Sequence, residues 1–338
     1  MAQFPEAITK TERSEAMRSE TKPSAPRMKR RFHRSRVLGI AWALIRTLLL
    51  FGMGYIILFP ILVKISSSFM GFEDLFDSSV NWIPRRFTLE HYQTVFLAME
   101  YPKTLLHSAV LAGGVSILQV ASCMLVGYGL ARFDFPGKRL LFACVIFTLI
   151  VPPELMLAPL YINLRYFDLW GLIPGGGFNL LNTQWPFYLM AVTGTGIRNG
   201  IFIYLMRQFF KGIPKSLEEA AYVDGAGPFR TFFYIMAPAA LPPALVTFVL
   251  SFAWQWNDYF YTTTFYQSGS ELLTHKFLGV NIAFAGWYRE VFGMSPPFEL
   301  HSVISNVAAL FYIAPLLIVF AFLQRYFMAS IERSGTVG

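Results

Sequence analysis

The chain has 338 residues, of which 55% are hydrophobic, 17% aromatic and only 14% charged, and its mean hydropathy is +0.47. Soluble domains carry about a quarter charged residues, so this composition excludes an ordinary water-soluble globular protein. The net charge of +8 is uneven, because a basic N-terminal segment supplies most of it.

Residues 1–36 hold ten of the 28 Lys and Arg residues against four Glu. A basic run directly ahead of a first apolar span is what holds an N-terminus in the cytoplasm. The segment is expected to be a disordered topology anchor beside anionic lipid, rather than a nucleic-acid binder or a cleavable signal. Six apolar runs of about 20 residues follow, the length needed to cross a hydrocarbon core of ~30 Å. The predicted spans are Leu38 to Val63, Leu105 to Leu130, Leu140 to Tyr161, Gln184 to Met206, Ala239 to Phe265 and Val303 to Leu323. The expected organisation is a first transmembrane helix over 37–64, an outer loop over 65–104, a core of spans two to six over 105–325 and a short tail over 326–338. With both termini inside, 19 of the 28 basic residues fall on the inner face, which favours N-in and C-in. The outer loops, including the one from Tyr266 to Ser302, are rich in Trp, Tyr, Pro and Gly and are expected to be irregular. Trp82, Trp170 and Trp287 are expected at the membrane interface.

Two spans carry helix breakers. The third reads VPPELMLAPLY around Pro152, Pro153, Glu154 and Pro159, and the fourth is interrupted by GTGIRNG around Arg198. Broken helices in lipid are tolerated where protein or a wet cavity satisfies the freed backbone groups, so a pathway and a packing kink are both open readings. Span five carries Trp254, Trp256, Asn257, Asp258 and Tyr259. Aromatic faces with amide and carboxylate groups suit a sugar, while the alternative is an interhelix hydrogen bond beside an aromatic belt. Asn306 in the last span and Arg198 in the fourth are further pathway candidates. Asn306 could instead bond a neighbouring helix, and Arg198 could pair with Glu154 or a lipid headgroup; an Arg198 facing the cavity would favour acidic sugars.

The inner loop over about 208–238 contains KGIPKSLEEAAYVDGAGPFRTFFYIMAPAALPP. A short helix is expected, with Pro214 in its first turn, Glu218 and Glu219 near the positive end of its dipole and Gly225 at a positive-φ stop. Ala220 and Ala221 are expected to give it a low face that a partner can approach. The remaining chemistry-bearing residues form no constellation. Cys123 and Cys144 lie in apolar runs outside any CxxC and are read as reduced packing residues, and the five histidines show no metal spacing. No GxxxxGK[ST] phosphate loop and no GxSxG serine occurs, so neither a nucleotide site nor an enzyme mechanism has candidate residues.

This loop resembles the signature of bacterial ABC importer permeases: EAA, two residues, DGA, five residues, F, two residues, I, two residues, P, three residues, P. The matching residues are Glu219, Ala220 and Ala221, then Asp224, Gly225 and Ala226, then Phe232, Ile235, Pro238 and Pro242. VPPELMLAPLY, WQWNDYF and the terminal QRYFMASIERSGTVG are similar to the oligosaccharide-type permeases related to the maltose-transport subunits. The ending Thr336-Val337-Gly338 departs from the usual Val-Lys-Gly, which puts a tail contact with the ATPase in doubt. The resemblance implies an all-α, type I importer permease in the bacterial inner membrane. Its partners would be a second homologous permease, two ATPase subunits that carry ATP and Mg, and an extracytoplasmic binding protein; this chain would hold no cofactor. Glu218, Glu219, Ala220, Ala221, Asp224, Gly225 and Ala226 would form the ATPase-coupling element, and the cargo would be a sugar. The alternatives are a permease for a non-sugar solute, or a membrane enzyme or scaffold.

Overall fold

The computed structural model describes residues 28–77, 79–80, 82–168, 171, 177–267 and 271–335. The expectation of disorder is corrected over residues 28–36, which form the start of a helix beginning at Met28; the rest of the basic segment, Trp170 and Thr336 to Gly338 lie outside the described residues. The chain divides into two compact units, Met1–Leu62 and Val63–Gly338. All of the first unit's described part belongs to helix α1, Met28–Ser68. Its stretch Gly39–Ser68 is long and apolar enough to cross a membrane, and its most apolar window buries nothing inside the chain. Side chains such as Leu48 and Phe51 are open all round, which suits a helix with lipid as its solvent.

The described residues of the second unit form helices joined by turns and loops, with two isolated bridges, Met70 with Phe87 and Phe167 with Phe178. Short helices α2 (Phe72–Phe76) and α3 (Glu90–Ala98) precede the long α4, Tyr101–Arg132. Next come α5 (Lys138–Phe147), α6 (Pro153–Arg165), α7 (Trp185–Val192) and α8 (Asn199–Gly212). The inner loop forms α9 (Ser216–Val223) and α10 (Pro228–Thr231), then a π-helical turn (Phe232–Met236) and α11 (Ala237–Ala239). The chain ends with α12 (Leu241–Trp256), α13 (Phe260–Phe265), α14 (Leu273–Phe292) and α15 (Phe298–Gly335).

Helix α4 is the hub, packing against α7, α8, α12 and α14. Its approach to α8 is so close that a Cβ on Gly127 would lie 2.6 Å from the Cβ of Met206, so only glycine fits there. Around this contact Cys123, Tyr128, Phe202, Met206, Phe210, Phe232 and Met236 form one buried cluster. Both cysteines are free, but only Cys123 is buried; Cys144 is exposed, so the packing reading fails for it.

Among the described residues three helices, Gly39–Ser68, Tyr101–Arg132 and Phe298–Gln324, are each long and apolar enough to span. Pro228–Ala239 and Leu241–Trp256, bent by 73°, make a fourth if the pair is one span. The predicted third and fourth spans are each split. The third breaks over 148–152, where Pro152 is extended at ψ 131 and Pro153 restarts the helix as α6. The fourth breaks over 193–198, where Gly194 and Arg198 take φ of 73 and 57. The predicted fifth span is interrupted between α12 and α13.

The expectation of an irregular loop from Tyr266 to Ser302 is corrected: α14 is a 20-residue helix. Leu273, Val280 and Phe284 are buried in a core with Trp256, Val303, Ile304 and Val307, and Phe277 and Tyr288 pack at its edge. That three-four spacing is helical, but Lys276, Asn281 and Arg289 on the other faces interrupt the apolar run.

Candidate functional site

Helix α9 begins at Ser216, with Lys215 as its N-cap; Pro214 therefore precedes the helix instead of sitting in its first turn. Its end is closed by two backbone bonds, Gly225 N–H to the Tyr222 carbonyl at 3.1 Å and Ala226 N–H to the Ala221 carbonyl at 2.9 Å. This is the pairing of a Schellman cap, and Gly225 supplies its left-handed residue at φ 79. No neighbour lies where a Cβ would be built on Gly225, so the constraint is the backbone angle alone. Gly225→Val is expected to destabilise the loop by about 1–3 kcal/mol and Gly225→Asn by less, because Asn tolerates this region. Hydrogen exchange of the amides from 216 to 226 in the two variants checks that order.

The coupling candidates divide into two faces. Glu218 and Ala221 point into the chain, at 7% and 4% exposure, whereas Glu219, Ala220, Asp224 and Gly225 face outward and Ala226 is half-buried. The expectation that Ala221 belongs to a partner-facing surface is thereby corrected. Val223, at 87% exposure, takes a more open position beside Ala220 and Asp224.

What Glu218 meets inside is Arg132, the last residue of α4, across an ion pair of 3.2 Å whose side chains are 6% and 9% exposed. The same guanidinium donates from Nη2 to the Ile213 carbonyl at 2.6 Å. One arginine thus ties the hub helix to the chain just past α8 and to the first turn of α9, where the helix dipole also favours a carboxylate. Nearby on the surface, the Lys138 ammonium donates to Asp134 at 3.0 Å and holds its carboxyl below the usual range.

Downstream, the motif residue Phe232 is buried, with its ring 5.0 Å from Tyr128 and 6.4 Å from Phe210. Ala237 N–H donates to the Phe232 carbonyl, a wide turn immediately before Pro238. The proline ring crowds the carbonyl four residues back, and a π turn relieves that crowding. Pro242 falls in the first turn of α12, where its missing N–H costs nothing.

The pathway candidates of α12 and its surroundings do not form one site. Trp256 is 3% exposed and its indole donates to the Tyr312 carbonyl at 3.1 Å, so it is a core residue. Asp258 caps α13: its carboxylate accepts from the Thr262 amide at 2.8 Å, the Thr262 hydroxyl at 2.7 Å and the Tyr261 amide at 3.3 Å. Asn257 donates back to its own helix at Ala253, and Tyr259 is open. Asn306 joins the end of α1 to α15, accepting from Lys64 at 2.7 Å and donating to Ser67 at 2.9 Å.

Arg198 and Trp254 are brought together, the guanidinium lying 4.7 Å from the indole ring centroid. The expected pair with Glu154 is not among the ion pairs of the described residues. Beside this contact runs a buried polar seam that leaves no local mark in the sequence. Gln119 of α4 donates to the Ile197 carbonyl at 2.7 Å and to the Asn199 side chain, and Ser251 of α12 donates to Oε1 of the Gln119 side chain.

Residues 124–333 match the family described as "Binding-protein-dependent transport system inner membrane component". The chain is 27% identical over 297 residues to the probable ABC transporter permease protein PH1036 of Pyrococcus horikoshii, covering 87% of this chain and 96% of that one. It is 29% identical over 258 residues to the alpha-glucoside transport system permease protein AglG of Rhizobium meliloti, covering 75% of this chain and 62% of the relative. In fold it is similar to a chain of a bacterial ABC transporter involved in the import of the acidic polysaccharide alginate. That likeness has a TM-score of 0.65 at 21% identity and covers 90% of this chain and 100% of the other.

Proposed function

We propose, from the premise that this chain belongs to the family of binding-protein-dependent transport system inner membrane components, that it forms half of a carbohydrate pathway and couples it to ATPase subunits. Members of this family are permease components of ABC importers, so the chain is a transport subunit and not itself an enzyme. The sugar reading draws support from the alpha-glucoside permease among its relatives and from the alginate importer that shares its fold. The observation that carries the coupling role is the construction of α9. Its inner face is tied by Arg132 and Glu218 to the hub helix, while Glu219, Ala220, Val223 and Asp224 are left open on the outer face. An ATPase groove closing on that outer face would move α4 through a buried charge pair, and α4 touches α8 and α12, which carry Arg198 at the start of one and Trp254 near the end of the other.

The full assembly in this reading has a second homologous permease, two ATPase subunits holding ATP and Mg, and an extracytoplasmic binding protein. Six crossings, with the split helices counted in pairs, would place both termini in the cytoplasm. In a background without Cys123 and Cys144, a cysteine at exposed Lys211 is expected to be protected from an impermeant thiol reagent in intact cells, and one at exposed Ser295 to react. Labelling at position 211 would reverse the orientation. For the cargo, the reconstituted complex is expected to hydrolyse ATP faster when its binding protein is loaded with an oligosaccharide. Stimulation by an amino acid or a metal ion instead would replace the carbohydrate reading.

A further inference from the structure

We infer that Arg198 is a carboxylate-binding residue of the translocation pathway, acting with Trp254, and that the cargo is an oligosaccharide containing a sugar acid; the inference rests on the carbohydrate reading above. Three features of Arg198 lead there. Its place is fixed, because the backbone on one side and the side chain on the other are clamped by the same buried amide: Gln119 donates to the Ile197 carbonyl at 2.7 Å and to Asn199. The residue between them takes a left-handed conformation at φ 57 that a side chain rarely adopts, so the break in the predicted fourth span presents a rigidly aimed arginine.

Its depth is the second feature. From Gly212 back to Arg198, and from Leu241 up to Trp254, each path runs about 20 Å at 1.5 Å per residue, so in the six-crossing reading two separate helices bring guanidinium and indole together well away from the inner loop. The third is its lack of a counterion. Among the described residues no ion pair and no hydrogen bond from the Arg198 side chain is recorded, only the indole face at 4.7 Å, and its side chain is exposed. A bare guanidinium at that depth is costly against lipid and tolerable against water or an anion.

The open guanidinium matches the carboxylate of a uronate. Trp254 is half-buried, with its ring 5.2 Å from Phe202, and the Arg198 guanidinium lies over it, so the indole acts as a platform that holds the fork and leaves its N–H edge for an anion. An arginine fork binds a carboxylate through two parallel hydrogen bonds, which an ammonium or an amide cannot do. A neutral sugar would leave the charge idle.

The test is uptake by proteoliposomes holding the complete transporter with its binding protein, offered trigalacturonate, the methyl ester of the same trisaccharide, and maltotriose. The expected result is uptake of trigalacturonate well above its neutral ester. Arg198→Gln should lower trigalacturonate uptake at least tenfold, and Arg198→Lys should lower it by less. Both variants should copurify with the other subunits at the wild-type level. Wild-type uptake of maltotriose or the ester with none of the acid would overturn the inference and leave the carbohydrate reading standing. Uptake driven by no sugar, with a non-sugar solute carried instead, would overturn both. Unchanged acid uptake by Arg198→Gln would remove Arg198 from the pathway. Loss of the second permease from that variant would assign Arg198 to a subunit contact, and loss of bound anionic phospholipid alone would assign it to a headgroup; either overturns the inference.

Discussion

Replacing Glu218 by Ala is expected to unseat the coupling helix, with a cost of about 3–5 kcal/mol, because it leaves Arg132 as a buried charge without its carboxylate. The pair is closed to solvent on both sides, at 6% and 9% side-chain exposure, so screening does little to soften the loss. Arg132→Ala should cost as much, since it removes the bond to the Ile213 carbonyl as well. A buried pair can be neutral or worse against apolar residues of the same volume, so Glu218→Met with Arg132→Met should recover much of the stability that either single change loses. Hydrogen exchange over 213–226 reads the outcome. Wild-type protection in the single variants would mean that the ion pair holds nothing in place.

The second large effect belongs to the opposite face of the same helix. Val223→Asp should leave the exchange pattern of the loop unchanged, since Val223 is 87% exposed, yet reduce copurification of the ATPase at least tenfold, equivalent to 1.4 kcal/mol or more. Ala221→Asp should fail differently. At 4% exposure its charge would be forced into the chain's own interior, so the loop should lose protection before any partner is consulted. If the two variants behave alike, the division of α9 into an anchored face and a docking face is wrong.

The motif loop is legible in the sequence because its parts act at short range: a glycine at a helix stop and carboxylates near a positive dipole each leave a local mark, while Pro214 falls just ahead of the helix it is expected to start. The side on which Ala221 falls is not, because that depends on Arg132, 86 positions from Glu218 along the chain, and nothing local announces such a partner. The breaks in the third and fourth predicted spans could be read from Pro152, Pro153 and Gly194, which restrict or release the backbone whatever surrounds them. Helix α14 is not legible as an uninterrupted apolar run; its buried Leu273, Val280 and Phe284 carry a helical period, but polar residues lie between them. The cluster at Trp256 and Asp258 shows the converse failure. Polar and aromatic residues in a span resemble a binding site, and here one is a core residue bonded to Tyr312 and the other caps α13.

The central claim, that α9 is where ATP hydrolysis is coupled to this membrane subunit, is tested most directly by a photoreactive residue at Val223 in membranes holding the assembled transporter. The expected product is a covalent adduct with an ATP-hydrolysing subunit, weakened when that subunit is absent and altered in yield when nucleotide is added. An adduct with lipid alone, at full occupancy of the assembled complex, would contradict the account.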